Sequence, residues 1–198
     1  MFYSIFKALI KPFFFLLYGI RVYGKEHMDY EGRMIIISNH WGNLDPIILG
    51  LCMKKKVYFM AKAELFKFRP LAAVIRALGA FPVVRGKNDL GALSAAAEIL
   101  ERGYTFGIFP EGTRSKSGKV LSFQPGAAFI ALRSKTQILP VAIVNKPHFL
   151  RRMRIVLDAP IDVAPLADSA LSVAENAKKI TLMLHDKILA LKGSVSCP

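Results

Sequence analysis

The stretch MIIISNHWGNLDP, residues 34–46, decides how the rest of the sequence is interpreted. Four consecutive apolar residues, Met34 to Ile37, predict a short buried strand. Polar residues follow at once, and among them His40 and Asp45 are separated by four positions. A polar turn after a buried strand is a usual place for chemistry, because packing holds the strand end while the imidazole faces an open crevice.

Outward from this stretch, segments of strand and helix character alternate along the chain. Predicted strands cover 34–38, 57–61, 81–84, 105–109, 138–144 and 153–157, and predicted helices cover 45–52, 65–78, 88–103, 126–134 and 172–191. Pro70 is expected to divide the second helix, and Pro140 to place its strand at an edge or a bulge. The alternation predicts a single α/β domain, residues 24–198, with a mainly parallel, mixed sheet flanked by helices.

Two helix starts are predicted from local signals. Asp45 and Pro46 are typical of an N-cap followed by the first helical position. Ser172-Val173-Ala174-Glu175 has the pattern of a capping box. Apolar residues then repeat on one face of the last helix, namely Val173, Ala177, Ile180, Leu184, Ile188 and Leu191.

Residues 1–23 are rich in Phe, Leu, Ile and Tyr but are interrupted by Lys7, Lys11 and Arg21. The uncharged run Pro12–Ile20 is too short to span a bilayer as a helix, and no cleavage site of a signal peptide follows it. We expect a membrane-associating helical segment, with apolar side chains in lipid and basic side chains at the headgroups. The alternative is a helix packed on the protein's own core.

The basic composition of the chain predicts a polyanionic binding partner. The chain carries a formal charge of +14, and 53% of its 198 residues are hydrophobic, with a mean hydropathy of +0.36. An anionic membrane surface, an acidic carrier protein and nucleic acid all attract such a chain. Nucleic acid is disfavoured, because the basic groups do not interleave with aromatic residues and no DNA-binding motif is present.

The two cysteines, Cys52 and Cys197, form neither a metal-binding pattern nor a disulfide framework, and they fit a reducing compartment. No metal site is predicted.

His40 has the chemistry of a general base, since an imidazole accepts a proton near neutral pH. Asp45 could hydrogen-bond the other ring nitrogen and stabilise the imidazolium. A structural turn histidine and a simple helix N-cap are the alternatives for these two residues. No nucleophile motif accompanies them, so a base at this position would activate a hydroxyl of a substrate rather than one of the protein.

Arg85 and Arg114 each follow a predicted strand, and Glu111, Gly112 and Thr113 directly precede the second arginine. Guanidinium groups suit phosphate oxygens, and a glycine lets the backbone approach a ligand closely. An ordinary solvated turn is the alternative. Three polar loops after strands of one parallel sheet lie along the same edge, however, so the loops can converge.

At these residues the sequence resembles the glycerolipid acyltransferases, in particular the bacterial 1-acyl-sn-glycerol-3-phosphate acyltransferases. Four blocks occur in the family's order between about residues 20 and 145. They are the Asn-His-x4-Asp motif from Asn39 to Asp45, then Gly79–Arg85, Phe109–Ser115 and Ile138–Ile143.

The resemblance implies that His40 and Asp45 are catalytic and that Arg85, Glu111, Gly112, Thr113 and Arg114 bind substrate. It implies acyl transfer from acyl-CoA or acyl-acyl-carrier-protein to the sn-2 hydroxyl of 1-acyl-sn-glycerol 3-phosphate, giving phosphatidic acid. No further cofactor is expected. The expected location is the cytoplasmic face of the cell membrane, as a monotopic or peripheral protein.

One position departs from the family pattern, because Gln124 stands where many relatives carry lysine. One positive contact with the acceptor phosphate is therefore expected to be missing. The sequence leaves two kinds of alternative open. The acceptor could be glycerol 3-phosphate or another lysophospholipid, or the chain could be a basic peripheral membrane protein or nucleic-acid binder without enzymatic activity.

Overall fold

The computed structural model describes residues 2–83 and 90–195 of the chain. In these ranges the strands are β1 (Arg21–Tyr23), β2 (Met34–Ser38), β3 (Val57–Lys62), β4 (Ala80–Val83), β5 (Thr105–Ile108), β6 (Ile138–Ile143) and β7 (Arg154–Leu157). The α-helices are α1 (Phe2–Tyr18), α2 (Asp45–Cys52), α3 (Arg69–Ala77), α4 (Leu90–Glu101), α5 (Gly126–Ser134) and α6 (Val173–Ser194). Short 3-10 helices cover Lys25–Met28, Ala63–Phe66 and Ala164–Leu166.

The seven strands form one sheet in the order β1-β7-β6-β2-β5-β3-β4. Five neighbouring strands, from β6 to β4, run parallel. Strand β7 pairs antiparallel with β6, and β1 pairs parallel with β7. The predicted mainly parallel, mixed sheet flanked by helices is therefore confirmed.

Helices cover both faces of this sheet, which explains why β2 and β6 are buried along their whole length and are apolar except at Ser38. On one face, Ile35 and Ile37 of β2 pack in a core with α4, α5 and α6. On the other face, Ile36 packs in a core with α2 and the inner side of α1. Each fully buried isoleucine contributes about 1.5–3 kcal/mol to folding.

Helix α6 confirms the predicted capping box, because the Ser172 side chain accepts from the Glu175 amide and Glu175 accepts from the Ser172 amide. The predicted apolar face is buried except at Val173, which is 40% exposed in the first turn. Pro70 lies in the first turn of α3, which follows a separate 3-10 helix, so the predicted division of that segment is also confirmed.

The edge position predicted for the strand of Pro140 is wrong, because β6 lies between β2 and β7. Its pairing is irregular, however. Asp158 N donates to the Pro140 carbonyl, and the next pairing on this side joins Ile138 to Ile161. Val141 pairs with Leu157 and Ile138 pairs with Ile161, so the segment after β7 has one more residue between these two pairings than β6 has, as in a β-bulge. The missing N–H of proline falls in this irregular region.

The N-terminal segment is a helix only up to Tyr18, and residues 21–23 join the sheet as β1, which the sequence did not predict. Exposed apolar side chains, including Ile5, Leu9, Phe13 and Leu16, form the outer face of α1. Lys7 is not on that face. It donates to the Met53 carbonyl, and burial together with the charge of Lys11 lowers its pKa to about 8.

None of the helices in the described part of the chain combines the length and apolarity needed to cross a bilayer.

Candidate active site

At the centre of the sheet the connections of two neighbouring strands leave in opposite directions, an arrangement that opens a crevice between them in parallel sheets. Strands β2 and β5 are paired at the centre of the sheet. The chain passes from β2 to α2 on one face and from β5 to α5 on the other. Crevices of this kind, at the carboxyl ends of parallel strands, are common ligand sites. His40 lies two residues beyond the end of β2 and therefore at this crevice.

The imidazole of His40 pairs with the carboxylate of Asp45. His40 Nδ1 lies 2.7 Å from Asp45 Oδ2. The Asp45 side chain is fully buried, whereas that of His40 remains 13% exposed. Because Nδ1 is engaged by the carboxylate, Nε2 is the ring nitrogen left for a substrate.

Asp45 Oδ2 also accepts from the backbone amides of Trp41 at 2.6 Å and Gly42 at 2.7 Å. These amides can only donate, which identifies the carboxylate as the acceptor and His40 Nδ1 as a protonated donor. The predicted N-cap role of Asp45 is wrong. The N-cap of α2 is Leu44, and the Asp45 side chain turns back to organise the loop. Pro46 lies in the first turn of α2, as expected.

The turn before α2 is fastened to the end of β6. Asn39, which is buried, donates from Nδ2 to the Ile143 carbonyl at 2.9 Å and accepts from the Ile143 amide at 2.8 Å. The indole Nε1 of Trp41 donates to the same carbonyl at 3.0 Å. The residues on either side of His40 are thus both fixed to a neighbouring strand, which holds the imidazole in place.

The loop after β5 meets this turn through three hydrogen bonds. His40 N donates to Glu111 Oε1 at 3.0 Å, and Ser115 N donates to the His40 carbonyl at 2.8 Å. Arg114 Nη1 donates to Asn43 Oδ1 at 2.7 Å. Two of the predicted polar loops therefore converge. Arg85, the arginine of the third loop, lies outside the described residues, although β4 leads to the same edge.

The residues of this loop differ in exposure. Gly112, Thr113 and Arg114 are exposed, whereas Glu111 is buried against the His40 amide. Burial raises the pKa of Glu111, while the backbone amides of His40 and Leu121 oppose that rise. Glu111 is therefore placed to support the turn, a contact that the sequence did not predict.

An aromatic wall lies beside the imidazole. The ring of Phe109 stacks on the ring of His40, with 4.1 Å between centroids and 17° between planes. Phe59 stacks on Phe109 in turn, at 5.7 Å. These rings confine His40 and give the crevice an apolar side. Neither phenylalanine is among the site residues predicted from the sequence.

The C-terminal helix also reaches this edge. Lys192 of α6 places Nζ 4.7 Å from the centroid of the Trp41 ring and donates to the Gly118 carbonyl. Burial lowers the pKa of Lys192, and the charge of Glu111 opposes that change. Gly118, at a φ of +76°, packs so closely on Trp41 that a Cβ atom would overlap the ring. Helix α6 thus braces the turn from behind.

Within residues 2–83 and 90–195, no three His, Cys, Asp or Glu side chains come together as a metal site requires.

The chain belongs to the acyltransferase family. The family model described as Acyltransferase matches residues 19–144, which include the whole arrangement around His40.

The crystal structure of the 1-acyl-sn-glycerophosphate (LPA) acyltransferase PlsC from Thermotoga maritima is similar over 98% of this chain and 80% of that one, with a TM-score of 0.73 and 30% identity. The 1-acyl-sn-glycerol-3-phosphate acyltransferase of Bacillus subtilis is 28% identical, covering 89% of this chain and 90% of that protein. The enzyme of the same name from Borreliella burgdorferi is 30% identical, covering 87% and 72% respectively. The protein described here is accordingly an acyltransferase.

Proposed function

We propose that the protein transfers a fatty acyl group from a thioester donor, acyl-CoA or acyl-acyl-carrier-protein, to the sn-2 hydroxyl of 1-acyl-sn-glycerol 3-phosphate. The product is phosphatidic acid, a phospholipid precursor. The observation that carries this proposal is the His40–Asp45 pair at 2.7 Å, located in the crevice beside the exposed Arg114. The names of the relatives favour the same acceptor.

In the proposed reaction, His40 Nε2 removes the proton of the sn-2 hydroxyl as its oxygen attacks the thioester carbonyl. Asp45 holds the imidazole in the tautomer with Nδ1 protonated and stabilises the imidazolium that forms. The tetrahedral intermediate then collapses, the carbon–sulfur bond breaks, and the thiolate takes the proton from His40. The acyl group passes directly to the acceptor, so no serine or cysteine of the protein is acylated.

The acceptor phosphate is assigned to Arg114 and Arg85. The guanidinium of Arg114 is exposed at the rim of the crevice and is oriented by Asn43, which leaves donors for phosphate oxygens. Gly112, with a φ of +66° and Gln124 Cγ at 4.0 Å from where a Cβ atom would lie, lets the loop backbone approach the glycerol. Thr113 contributes to the same subsite, and Glu111 shapes it through its hold on the turn.

We also assign the segment 1–23 to membrane contact, at the cytoplasmic face of an anionic membrane. The support is the row of exposed apolar side chains along α1 and the formal charge of +14. Peripheral attachment of this kind suits an enzyme whose acceptor and product both reside in a bilayer. No cofactor other than the acyl donor and no nucleic-acid partner are part of the proposal.

An acyl-transfer assay with a labelled donor tests the function. The acceptor panel contains 1-acyl-sn-glycerol 3-phosphate, glycerol 3-phosphate and other lysophospholipids, each with acyl-CoA and with acyl-acyl-carrier-protein. We expect phosphatidic acid from the first acceptor and loss of turnover in His40→Ala. A higher kcat/KM for glycerol 3-phosphate would overturn the acceptor assignment, and near-normal activity of His40→Ala would overturn the mechanism.

A further inference from the structure

The connection between β6 and β7 presents two large apolar side chains to solvent. Phe149 is 64% exposed and Leu150 is 73% exposed. Basic residues stand on both sides of this pair, with Lys146 before it and Arg151 and Arg152 after it, and all three are exposed. We call residues 146–152 the basic loop. Apolar side chains flanked by lysine and arginine are the composition that binds the interface of an anionic bilayer.

The backbone of the basic loop is fixed although its side chains are exposed. At its base, Asn145 Nδ2 donates to the Arg152 carbonyl at 2.9 Å, and Asn145 Oδ1 accepts from the Arg154 amide at 3.0 Å. At its tip, Arg151 N donates to the His148 carbonyl at 3.1 Å and closes a turn. The apolar pair occupies the centre of that turn.

Leu150 adopts a left-handed conformation with a φ of +57°. Residues other than glycine, asparagine and aspartate rarely adopt this conformation, which costs on the order of 1 kcal/mol or more. A glycine at this position would relieve the strain, and residues held in such conformations cluster at functional sites.

The basic loop continues the apolar face of α1. The amide of Leu150 donates to the carbonyl of Leu17 at 2.9 Å, in the last turn of that helix. The neighbouring residue of α1, Leu16, is 82% exposed. The outer face of α1 and the tip of the basic loop therefore meet in space and can enter one membrane surface together.

The basic loop also lies at the edge that carries His40. It follows Ile143, whose carbonyl accepts from both Asn39 and Trp41 in the turn around His40. Only two residues separate Ile143 from Lys146. A membrane bound at the basic loop is consequently adjacent to the crevice.

We propose that the basic loop is a second membrane-contact element, which inserts Phe149 and Leu150 below the headgroups of an anionic bilayer while Arg151 and Arg152 bind lipid phosphates. Together with α1 it turns the His40 crevice toward the membrane, so that a lipid acceptor enters from the bilayer. This inference adds a binding surface to the proposed function and rests on the lipid acceptor assigned there.

An acidic carrier protein is the rival partner for three basic side chains. The apolar pair at the tip and its continuity with α1 favour lipid, because neither feature is needed to bind an acidic protein surface. Vesicle binding and donor kinetics measured on the same variants separate the two partners.

The first test is co-sedimentation of the full-length protein with vesicles of phosphatidylcholine containing phosphatidylglycerol. Phe149→Ser combined with Leu150→Asn should weaken partitioning about tenfold or more, since two large side chains leave the interface. Asparagine tolerates the left-handed conformation, so the fold is preserved. The matched control combines Leu182→Ser with Leu189→Ser, two exposed leucines of α6 on the opposite face of the sheet, and should bind as wild type.

The second test concerns charge. Arg151→Gln combined with Arg152→Gln should weaken binding about fivefold per arginine on anionic vesicles and little on pure phosphatidylcholine. Lys178→Gln combined with Lys179→Gln, on the exposed side of α6, is the control. All of these variants should keep wild-type kcat on an acceptor dispersed as monomers, because none of the changes touches the crevice.

Wild-type vesicle binding by the Phe149–Leu150 variant would overturn the inference. So would arginine variants that bind vesicles normally but show a raised KM for acyl-acyl-carrier-protein, since that result would assign the basic loop to the carrier. Absence of acyl transfer by the wild-type protein would instead refute the proposed function, and the vesicle measurements would still decide the role of the basic loop.

Discussion

The Asp45→Asn substitution removes one negative charge from the site and puts an NH2 group in place of Asp45 Oδ1, a buried atom that has no hydrogen-bond partner among the described residues. Asp45 Oδ2 accepts from His40 Nδ1 at 2.7 Å and from two backbone amides at 2.6 and 2.7 Å. The amide oxygen of asparagine can accept the same three hydrogen bonds in the same volume. The turn should therefore keep its shape, and the loss should fall on the step in which His40 becomes positively charged.

The expected loss follows from Coulomb's law. The charge centres of an imidazolium and a carboxylate in this contact lie about 4 Å apart, which corresponds to about 4 kcal/mol at an effective dielectric constant of about 20. Because the imidazolium exists only after proton transfer, this energy is lost from the transition state. We expect kcat to fall about a thousandfold, with a small change in acceptor KM.

The assay is steady-state acyl transfer to 1-acyl-sn-glycerol 3-phosphate, with urea unfolding of both proteins as the check on folding. His40→Ala is the reference for complete loss of the base. If Asp45→Asn remained folded and kept more than about a tenth of wild-type kcat, the carboxylate would not stabilise a charged imidazole, and the proposed mechanism would fail.

Three further substitutions test separate parts of the site. Arg114→Ala should raise the acceptor KM about tenfold to a hundredfold with kcat nearly unchanged, because one charge-assisted contact to phosphate is lost. The control is Lys116→Ala, which removes an exposed cation from the same loop and should leave the acceptor KM unchanged. Gly118→Ala should lower the free energy of unfolding by about 2–4 kcal/mol, since the methyl group overlaps the indole ring of Trp41. The control Gly103→Ala, at a φ of +77° in open space, should lower it by about 1 kcal/mol. Equal losses of the two variants in urea unfolding would contradict the overlap. Glu111→Gln tests whether burial raises the pKa of this carboxyl. Because ionising Glu111 lowers the stability of the native wild type as pH rises from about 4.5 through the raised pKa, the variant should gain stability relative to wild type between about pH 4 and 7.5. A difference in free energy of unfolding that stays constant over this pH range would refute the raised pKa.

Elements with a strong local signal were predicted correctly. Four apolar residues in succession gave the position of β2, and the reciprocal pairing of Ser172 and Glu175 gave the start of α6. Both signals depend on residues within a few positions of each other. The three-residue strand β1 has no such signal, because its pairing with β7 joins residues more than 130 positions apart.

The site was predictable in its residue types and not in its contacts. His40 and Asp45 do meet, because a turn of four residues brings them together. The sequence could not show that the Glu111 carboxylate is buried under the His40 amide, 71 positions away. It also could not show that Lys192 of the last helix packs on Trp41. These contacts exist only once the sheet order is fixed.

The end of β6 joins the chemistry of the site to its proposed membrane contact. The Ile143 carbonyl accepts two hydrogen bonds from the turn that carries His40, and the Ile143 amide donates a third. The basic loop begins three residues later and is closed at its own base by Asn145. Because hydrogen bonds fasten both elements to the end of one strand, the proposal requires no change in the shape of the site when the bilayer binds. In the proposed arrangement membrane binding would supply the acceptor and its orientation, while the position of the base is already set by the fold.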